Sequence, residues 1–263
     1  MVNSTTDGRV VVVTGANEGI GYHTLTALLK KGYRVAGLDI NVDNLRPLQE
    51  ASPDRVRVYE CDVTNDDDVE AAVAEILDEW GHIDILLNNA AIFNFGLFDD
   101  RTLDDTREEF EVNYFGYLRM IRAVLPHMRA RNSGHIHNVS SGVGLVGTPG
   151  LSGYASTKGA IEAFTRSLRM ELQRENVSCS VMHPPYTATR SAARLGLPSS
   201  MMSDPEDVGR KFADKIESTR LVVTADLTTR IGLYLARRFP FIVKRGTKQF
   251  LDEREATAES VGR

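Results

Sequence analysis

The stretch Val10–Gly21, VVVVTGANEGIG, decides the fold. Its four consecutive valines form an apolar, β-branched run of the kind found in parallel strands covered on both faces. Thr14 closes the run, and Gly15, Gly19 and Gly21 follow at the spacing GxxxGxG. Residues from Tyr22 to Lys31 then favour a helix, which stops at Gly32. A strand, a glycine turn and a helix in succession let the backbone approach a pyrophosphate, with the unpaired N–H groups of the helix start facing it. A glycine pattern alone carries little weight, but one flanked by both elements carries much more.

Working outward, Tyr33–Ile40 reads as a second strand with Asp39 near its end. An acidic residue about 20 residues past the glycine turn accepts hydrogen bonds from the adenosine ribose hydroxyls and repels a 2′-phosphate. The expected cofactor is therefore NAD rather than NADP. The plainer reading makes Asp39 a turn or cap carboxylate, a role Asn41 and Asp43 could fill equally well. Further strand signals fall at residues 56–61, 82–87, 134–139, 178–183 and 220–225, separated by helix signals that include 64–80, 106–131 and 204–216. No linker-like break divides them. The expected fold is α/β: a Rossmann-type, doubly wound, seven-stranded parallel sheet with helices on both faces. It forms one domain over 1–225, followed by an extension over 226–263.

A second constellation lies in Ser152–Arg166, SGYASTKGAIEAFTR. Tyr154 and Lys158 are one helical turn apart and so share a helix face. A neighbouring ammonium favours the phenolate and lowers the tyrosine pKa from about 10, making Tyr154 a proton donor and acceptor near neutral pH. By itself this spacing also occurs in solvated surface pairs.

Taken in order, TGANEGIG, Asn88–Ala91 (NNAA), Asn113, Asn138–Gly144 (NVSSGVG) and YASTK resemble the short-chain dehydrogenase/reductase family, in its GxxxGxG and YxxxK subgroup, from about Arg9 to Ala225. The resemblance implies catalytic roles for Asn113, Ser141, Tyr154 and Lys158. The serine is expected thirteen positions before the tyrosine, which selects Ser141 over Ser140. Gly15, Asn17, Glu18, Gly19, Ile20, Gly21 and Asp39 would line the cofactor. So would Asp62, Val63, Asn89, Ala90, Tyr154, Lys158, Pro184, Thr187 and Thr189. Asn17 and Glu18 stand where relatives that prefer NADP often carry a basic residue, which again favours NAD. The resemblance also implies that Asn113 kinks its helix, that its carbonyl opens a proton route, and that this helix and the Tyr154 helix form a homodimer or homotetramer interface. Two positions depart from the pattern: Ala91 and Pro185 replace glycines. Proline fixes φ and lacks an N–H, so the backbone at residue 185 must differ.

Composition sets outer limits. The 263 residues are 42% hydrophobic and carry a net charge of −5, which gives no broad basic footprint for nucleic acid. Cys61 and Cys179 lie in apolar runs and read as buried thiols. The N-terminus lacks an apolar core, and no apolar run reaches the roughly 18 residues of a spanning helix, so a cytoplasmic protein is expected. Asp66–Asp68 suits a helix start. His135 and His137 share a strand face and read as a packed pair, and no metal site is expected. The aromatic loop Ile92–Asp100 is either core cover or substrate rim.

Residues 186–205, with Leu195, Leu197, Met201 and Met202, resemble a substrate lid whose apolar content suits a lipid- or steroid-like substrate; a lid packed on its own protein fits as well. Between Thr229 and Lys248 the chain carries Arg230, Arg237, Arg238, Lys244, Arg245 and Lys248, no acidic residue, and interleaved apolar side chains. Such a stretch can lie on an anionic membrane, pack on a neighbouring subunit or roof the substrate site. The expected activity is NAD-dependent interconversion of a secondary alcohol and a ketone. Two rival readings are an NADP-dependent 3-oxoacyl or carbonyl reductase and a cofactor-binding regulatory protein with little turnover.

Overall fold

The computed structural model describes residues 8–192, 202–239 and 241. Seven parallel strands make one sheet: β1 (Val10–Thr14), β2 (Arg34–Asp39), β3 (Val56–Glu60), β4 (Ile85–Asn88), β5 (Gly134–Val139), β6 (Val177–His183) and β7 (Val222–Thr224). Their order is β3-β2-β1-β4-β5-β6-β7. The chain winds one way from β1 to β3 and the other way from β4 to β7, leaving a crevice above β1 and β4 where ligands of such sheets bind.

The valine run shows why both faces are covered. Successive strand residues point to opposite faces. Val10 and Val12 enter one apolar cluster, with α3 (Asp66–Trp80) and α5 (Gly116–Ala130). Val11 and Val13 enter the other, with α1 (Gly19–Lys30) and α8 (Pro205–Ala213). The remaining helices are α2 (Arg46–Ala51), α4 (Leu103–Phe110), α6 (Val143–Val146), α7 (Ser152–Glu171) and α9 (Leu227–Arg238).

The helix expected over 106–131 begins earlier and is broken. Thr102 and Asp105 form a capping box that starts α4. A π turn over Glu111–Phe115 then separates α4 from α5, with the Gly116 N–H bonded to the Glu111 carbonyl. Asn113 sits inside that turn. The helix expected from Tyr22 starts at Gly19, within the glycine turn itself, and the helix expected to reach Ile216 ends at Ala213.

Residues 193–201 of the proposed lid, including Leu195, Leu197 and Met201, lie outside the described residues, as do Lys244, Arg245 and Lys248 of the basic tail. Cys61 and Cys179 are buried and unpaired, and burial pushes both thiols up to about 12. His135 and His137 stack at 4.1 Å between ring centroids. His135 bonds Ser178 and Ser180, and His137 bonds the Ile216 carbonyl. Burial depresses their pKa values to about 2 and about 4, so both rings stay neutral in the core.

Candidate active site

A cavity of about 910 Å³ opens above the carboxyl ends of the strands. Gly15, Asn17, Glu18, Gly19 and Ile20 line it below, Asp39 and Asn41 one end, Asp62–Thr64 the side, and Tyr154 and Lys158 the other end. Asn89, Ala90, Pro184 and Thr189 complete the wall expected from the sequence.

The glycine turn is held by contacts that allow no side chain. Gly15 has φ +62°, and a Cβ there would lie 2.7 Å from the Ala90 Cα. A Cβ on Gly21 would lie 2.0 Å from the Gly15 carbonyl oxygen, so α1 can start against the turn only with glycine at that position. Gly21 is thus a packing residue and does not line the cavity. Asn89 clamps the turn: its Nδ2 donates to the Thr14 and Gly15 carbonyls at 3.1 and 3.0 Å. The Thr14 hydroxyl accepts from the Asn89 and Ala90 amides. At the start of α1, the Glu18 side chain makes no capping bond, which leaves the first N–H groups available to an anion.

Asp39, at the end of β2, stands in the cavity wall. Its Oδ2 accepts from the Asn17 amide at 2.9 Å and its Oδ1 from the Asn41 amide at 3.3 Å. Burial raises its pKa, while these amides oppose the rise. Asn17 is in turn held by Asn41 and Asn44, so the carboxylate stands in a rigid polar frame. Asp39 thus makes the turn bond to Asn41 that its plainer reading requires and also stands in the cavity wall.

At the opposite end, Tyr154 hydrogen-bonds Ser141 and packs against Phe93, with ring centroids 5.5 Å apart. Ser140 lines the cavity and donates its hydroxyl to the Lys158 carbonyl at 3.2 Å, whereas Ser141 is not among the lining residues and meets the site through Tyr154. Lys158 is buried; its Nζ donates to the Val139 carbonyl at 2.9 Å and to the Tyr117 hydroxyl at 3.2 Å, and lies 5.5 Å from the Tyr154 ring centroid.

The electrostatics correct the sequence reading. Burial pushes Tyr154 up to about 12, the Ser141 bond opposes this, and Glu109 adds to it. Burial also brings Lys158 down to about 7. Desolvation therefore outweighs the pairing inferred from i,i+4 spacing, because the lysine sits over the ring and bonds Val139 and Tyr117 rather than the phenol.

Asn113 is fully buried. Its Oδ1 accepts from the Ile92 amide, and its Nδ2 donates to the Ile92 carbonyl, both at 2.8 Å, and to Thr157 Oγ1 at 3.2 Å. It thereby ties the π turn to the aromatic loop and to the residue preceding Lys158. The loop resolves into two parts: Ile92 and Phe93 line the cavity, whereas Phe98 is exposed.

The departures from the family pattern are accommodated. Ala91 does not adopt a left-handed conformation, so its methyl costs nothing there. The Pro185 carbonyl accepts the Thr187 hydroxyl at 2.8 Å, and Thr187 pairs with Ser203. Thr187 is thus spent within the loop and does not line the cavity, contrary to expectation; Thr189 does.

Three features escaped the sequence reading. Tyr117, one turn after Asn113, supplies the second acceptor for Lys158. Arg190 bridges to Glu18 at 2.9 Å across the cavity mouth. Glu162 binds His183 at 2.7 Å and Arg166 at 3.0 Å beneath the site. Tyr117 left a sequence signal in its i+4 spacing from Asn113, as did Glu162 in its i+4 spacing from Arg166, whereas the Arg190–Glu18 and His183–Glu162 pairs join residues remote in the chain.

A cavity at the switch point of a doubly wound sheet, running from an acidic residue past a glycine turn to a tyrosine and lysine, belongs to the dinucleotide-dependent oxidoreductases. The family model for short chain dehydrogenase matches residues 9–198. The chain is 35% identical over 183 residues to 2-(R)-hydroxypropyl-CoM dehydrogenase of Xanthobacter autotrophicus, covering 67% of this chain and 73% of that one. It is 30% identical over 217 residues to a 3-oxoacyl-[acyl-carrier-protein] reductase of Thermotoga maritima, covering 78% and 88%. Among solved structures, a short-chain dehydrogenase from Streptomyces avermitilis matches with TM-score 0.78 and 27% identity over 96% of this chain and 98% of that one. The chain belongs to the short-chain dehydrogenase family, oxidoreductases that act on CH–OH and carbonyl groups with NAD(H) or NADP(H).

Proposed function

We propose that this chain is an NAD-dependent oxidoreductase interconverting a secondary alcohol and a ketone on an apolar substrate. The observation that carries the reading is one continuous cavity with Asp39 at one end and Tyr154, bonded to Ser141, at the other. Bound nicotinamide supplies the hydride acceptor in oxidation and the hydride donor in reduction. Tyr154 takes the hydroxyl proton as hydride leaves the carbon, or returns it in the reverse direction. Ser141 bonds the substrate oxygen and holds it at the phenol. Lys158, with its pKa near 7, gains or loses charge close to neutral pH, and its charged form favours the phenolate. Asn113 positions Lys158 through Thr157 and lies on the proton route. Ile92 and Phe93 give the substrate end an apolar wall.

Asp39 supports NAD by offering a carboxylate to the ribose hydroxyls and opposing a 2′-phosphate. The 3-oxoacyl reductase among the relatives favours a second reading, an NADP-dependent reductase, which the same carboxylate counts against. Exposed Phe115 and Met170, on the α4–α5 and α7 surfaces, support a homo-oligomer built on those helices.

The test is steady-state turnover of apolar secondary alcohols and their ketones with NAD and NADP in parallel, for the natural chain and Tyr154→Phe. Turnover with NAD that is lost in the phenylalanine variant is the expected result. Equal turnover in that variant overturns the role of Tyr154, and turnover with NADP alone overturns that of Asp39.

A further inference from the structure

Helix α9 is amphipathic in the reverse sense to the other helices. None of its residues is buried. Leu227, Ile231, Tyr234 and Leu235 recur at i, i+4, i+7 and i+8, so they share one face, and they are 67%, 50%, 67% and 40% exposed. The face that meets the body is a narrow seam of half-buried Thr229, Leu233 and Ala236. Leu233 reaches the loop beside the active site, its Cδ2 3.0 Å from where a Cβ on Gly142 would stand. The apolar face therefore points away from the protein while the helix stays anchored next to Ser141.

Charge indicates what covers this face. Arg238 lies on the apolar stripe at i+11 from Leu227, and Arg230 and Arg237 flank it. Arg238 also lies over the Phe239 ring at 5.7 Å. From Thr229 to Lys248 the sequence has no acidic residue, although acidic residues outnumber basic ones, 36 to 31, in the whole chain. A two-fold pairing of this face with a second copy would bury Arg230, Arg237 and Arg238 with no acidic residue on the helix to pair them, since the Asp226 carboxylate at its start is already held by Thr229 and Lys211. A lipid surface bearing negative headgroups satisfies both demands: it takes the leucine, isoleucine and aromatic side chains below the headgroups and the guanidinium groups among them.

We infer that α9 docks this protein on an anionic membrane surface, with Leu227, Ile231, Tyr234 and Leu235 inserted and Arg230, Arg237 and Arg238 paired with headgroup phosphates and carboxylates. Among the described residues no helix is long and apolar enough to cross a membrane, so the contact is peripheral. Docking brings the loop carrying Ser141 next to the bilayer. It holds whichever cofactor or substrate the site uses.

The experiment is sedimentation of the full chain with vesicles of pure phosphatidylcholine and of phosphatidylcholine with phosphatidylserine, at low and high salt. The natural chain is expected to pellet with the anionic vesicles, far less with neutral ones, and less as salt rises. Arg237→Gln with Arg238→Gln is expected to weaken binding about 25-fold, about fivefold for each arginine. Ile231→Asp with Tyr234→Asp abolishes binding. Both variants keep the melting temperature and NADH affinity of the natural chain, which separates lost docking from lost fold. Three results overturn the proposal: no pelleting of the natural chain with anionic vesicles, equal pelleting with both lipids, or unchanged pelleting of the Ile231→Asp, Tyr234→Asp variant. A fall in oligomer mass of that variant, with no vesicle binding by the natural chain, assigns the face to a second copy instead.

Discussion

Replacing Asp39 with asparagine tests the cofactor preference without needing to know the substrate. A carboxylate offers about four lone-pair sites, and the Asn17 and Asn41 amides occupy two of them at 2.9 and 3.3 Å. Two sites remain for ribose hydroxyls. Asparagine has a single oxygen, which must still serve Asn17, and its NH₂ then faces the Asn41 N–H, donor against donor. One charge-assisted bond to the ribose is lost and the other becomes neutral. Charged bonds are worth roughly 1.5–3 kcal/mol and neutral ones roughly 0.5–1.5, so the NADH affinity should fall by about 2 kcal/mol, or about 30-fold. The same substitution removes the repulsion of a 2′-phosphate. Two unit charges 4 Å apart repel by about 1 kcal/mol even in a water-like medium, so relief of that repulsion should favour NADPH by about fivefold. Titration of both reduced cofactors by fluorescence measures the ratio of their dissociation constants directly. An unchanged ratio, or tighter binding of NADPH than NADH by the natural chain, would refute the reasoning.

Two further predictions concern buried charge. The Lys158 pKa drops from its ordinary 10.5 to about 7 on burial. Between those values the unfolded chain binds more protons than the folded one, so folding stability rises as pH rises from about 7 to 10.5. Lys158→Met should flatten that slope in melting curves recorded across the window, even as it destroys turnover; an unchanged slope would assign the pH dependence elsewhere. At Glu162, burial raises the carboxyl pKa, but the pairing with His183 and Arg166 prevails and holds it below the usual range. Its stabilisation is present above the ordinary carboxylate pKa and is lost as pH falls through the lowered one. Glu162→Ala should destabilise the fold by about 3 kcal/mol, the usual penalty for stranding a buried partner, and should weaken the acid transition seen by denaturant titration; a loss under about 1 kcal/mol would show that His183 and Arg166 find other partners.

Some of the molecule was legible residue by residue. The valine run, Gly15, Gly21 and Asp39 report local requirements: a strand covered on both faces, a turn with no room for Cβ, a carboxylate at a strand end. Those requirements are written in the few residues that meet them. The spacing of Tyr154 and Lys158 also placed both on one face of α7. It could not give their electrostatics, because desolvation depends on every side chain packed around them, including Tyr117 and Phe93 from elsewhere in the chain. The π turn at Asn113 likewise answers to partners at Ile92 and Thr157, 21 and 44 residues away.

The sequence by itself therefore determined the fold class, the glycine turn that lines the cleft and the shared helix face of Tyr154 and Lys158, since each rests on short-range periodicity or on a steric need of one residue. Tertiary structure alone decided that burial dominates the pKa values of Tyr154 and Lys158, that Thr187 serves its own loop, that Glu162 pairs with His183, and that the apolar face of α9 points outward. All four depend on distances between residues remote in the chain, which periodicity does not encode and only packing sets.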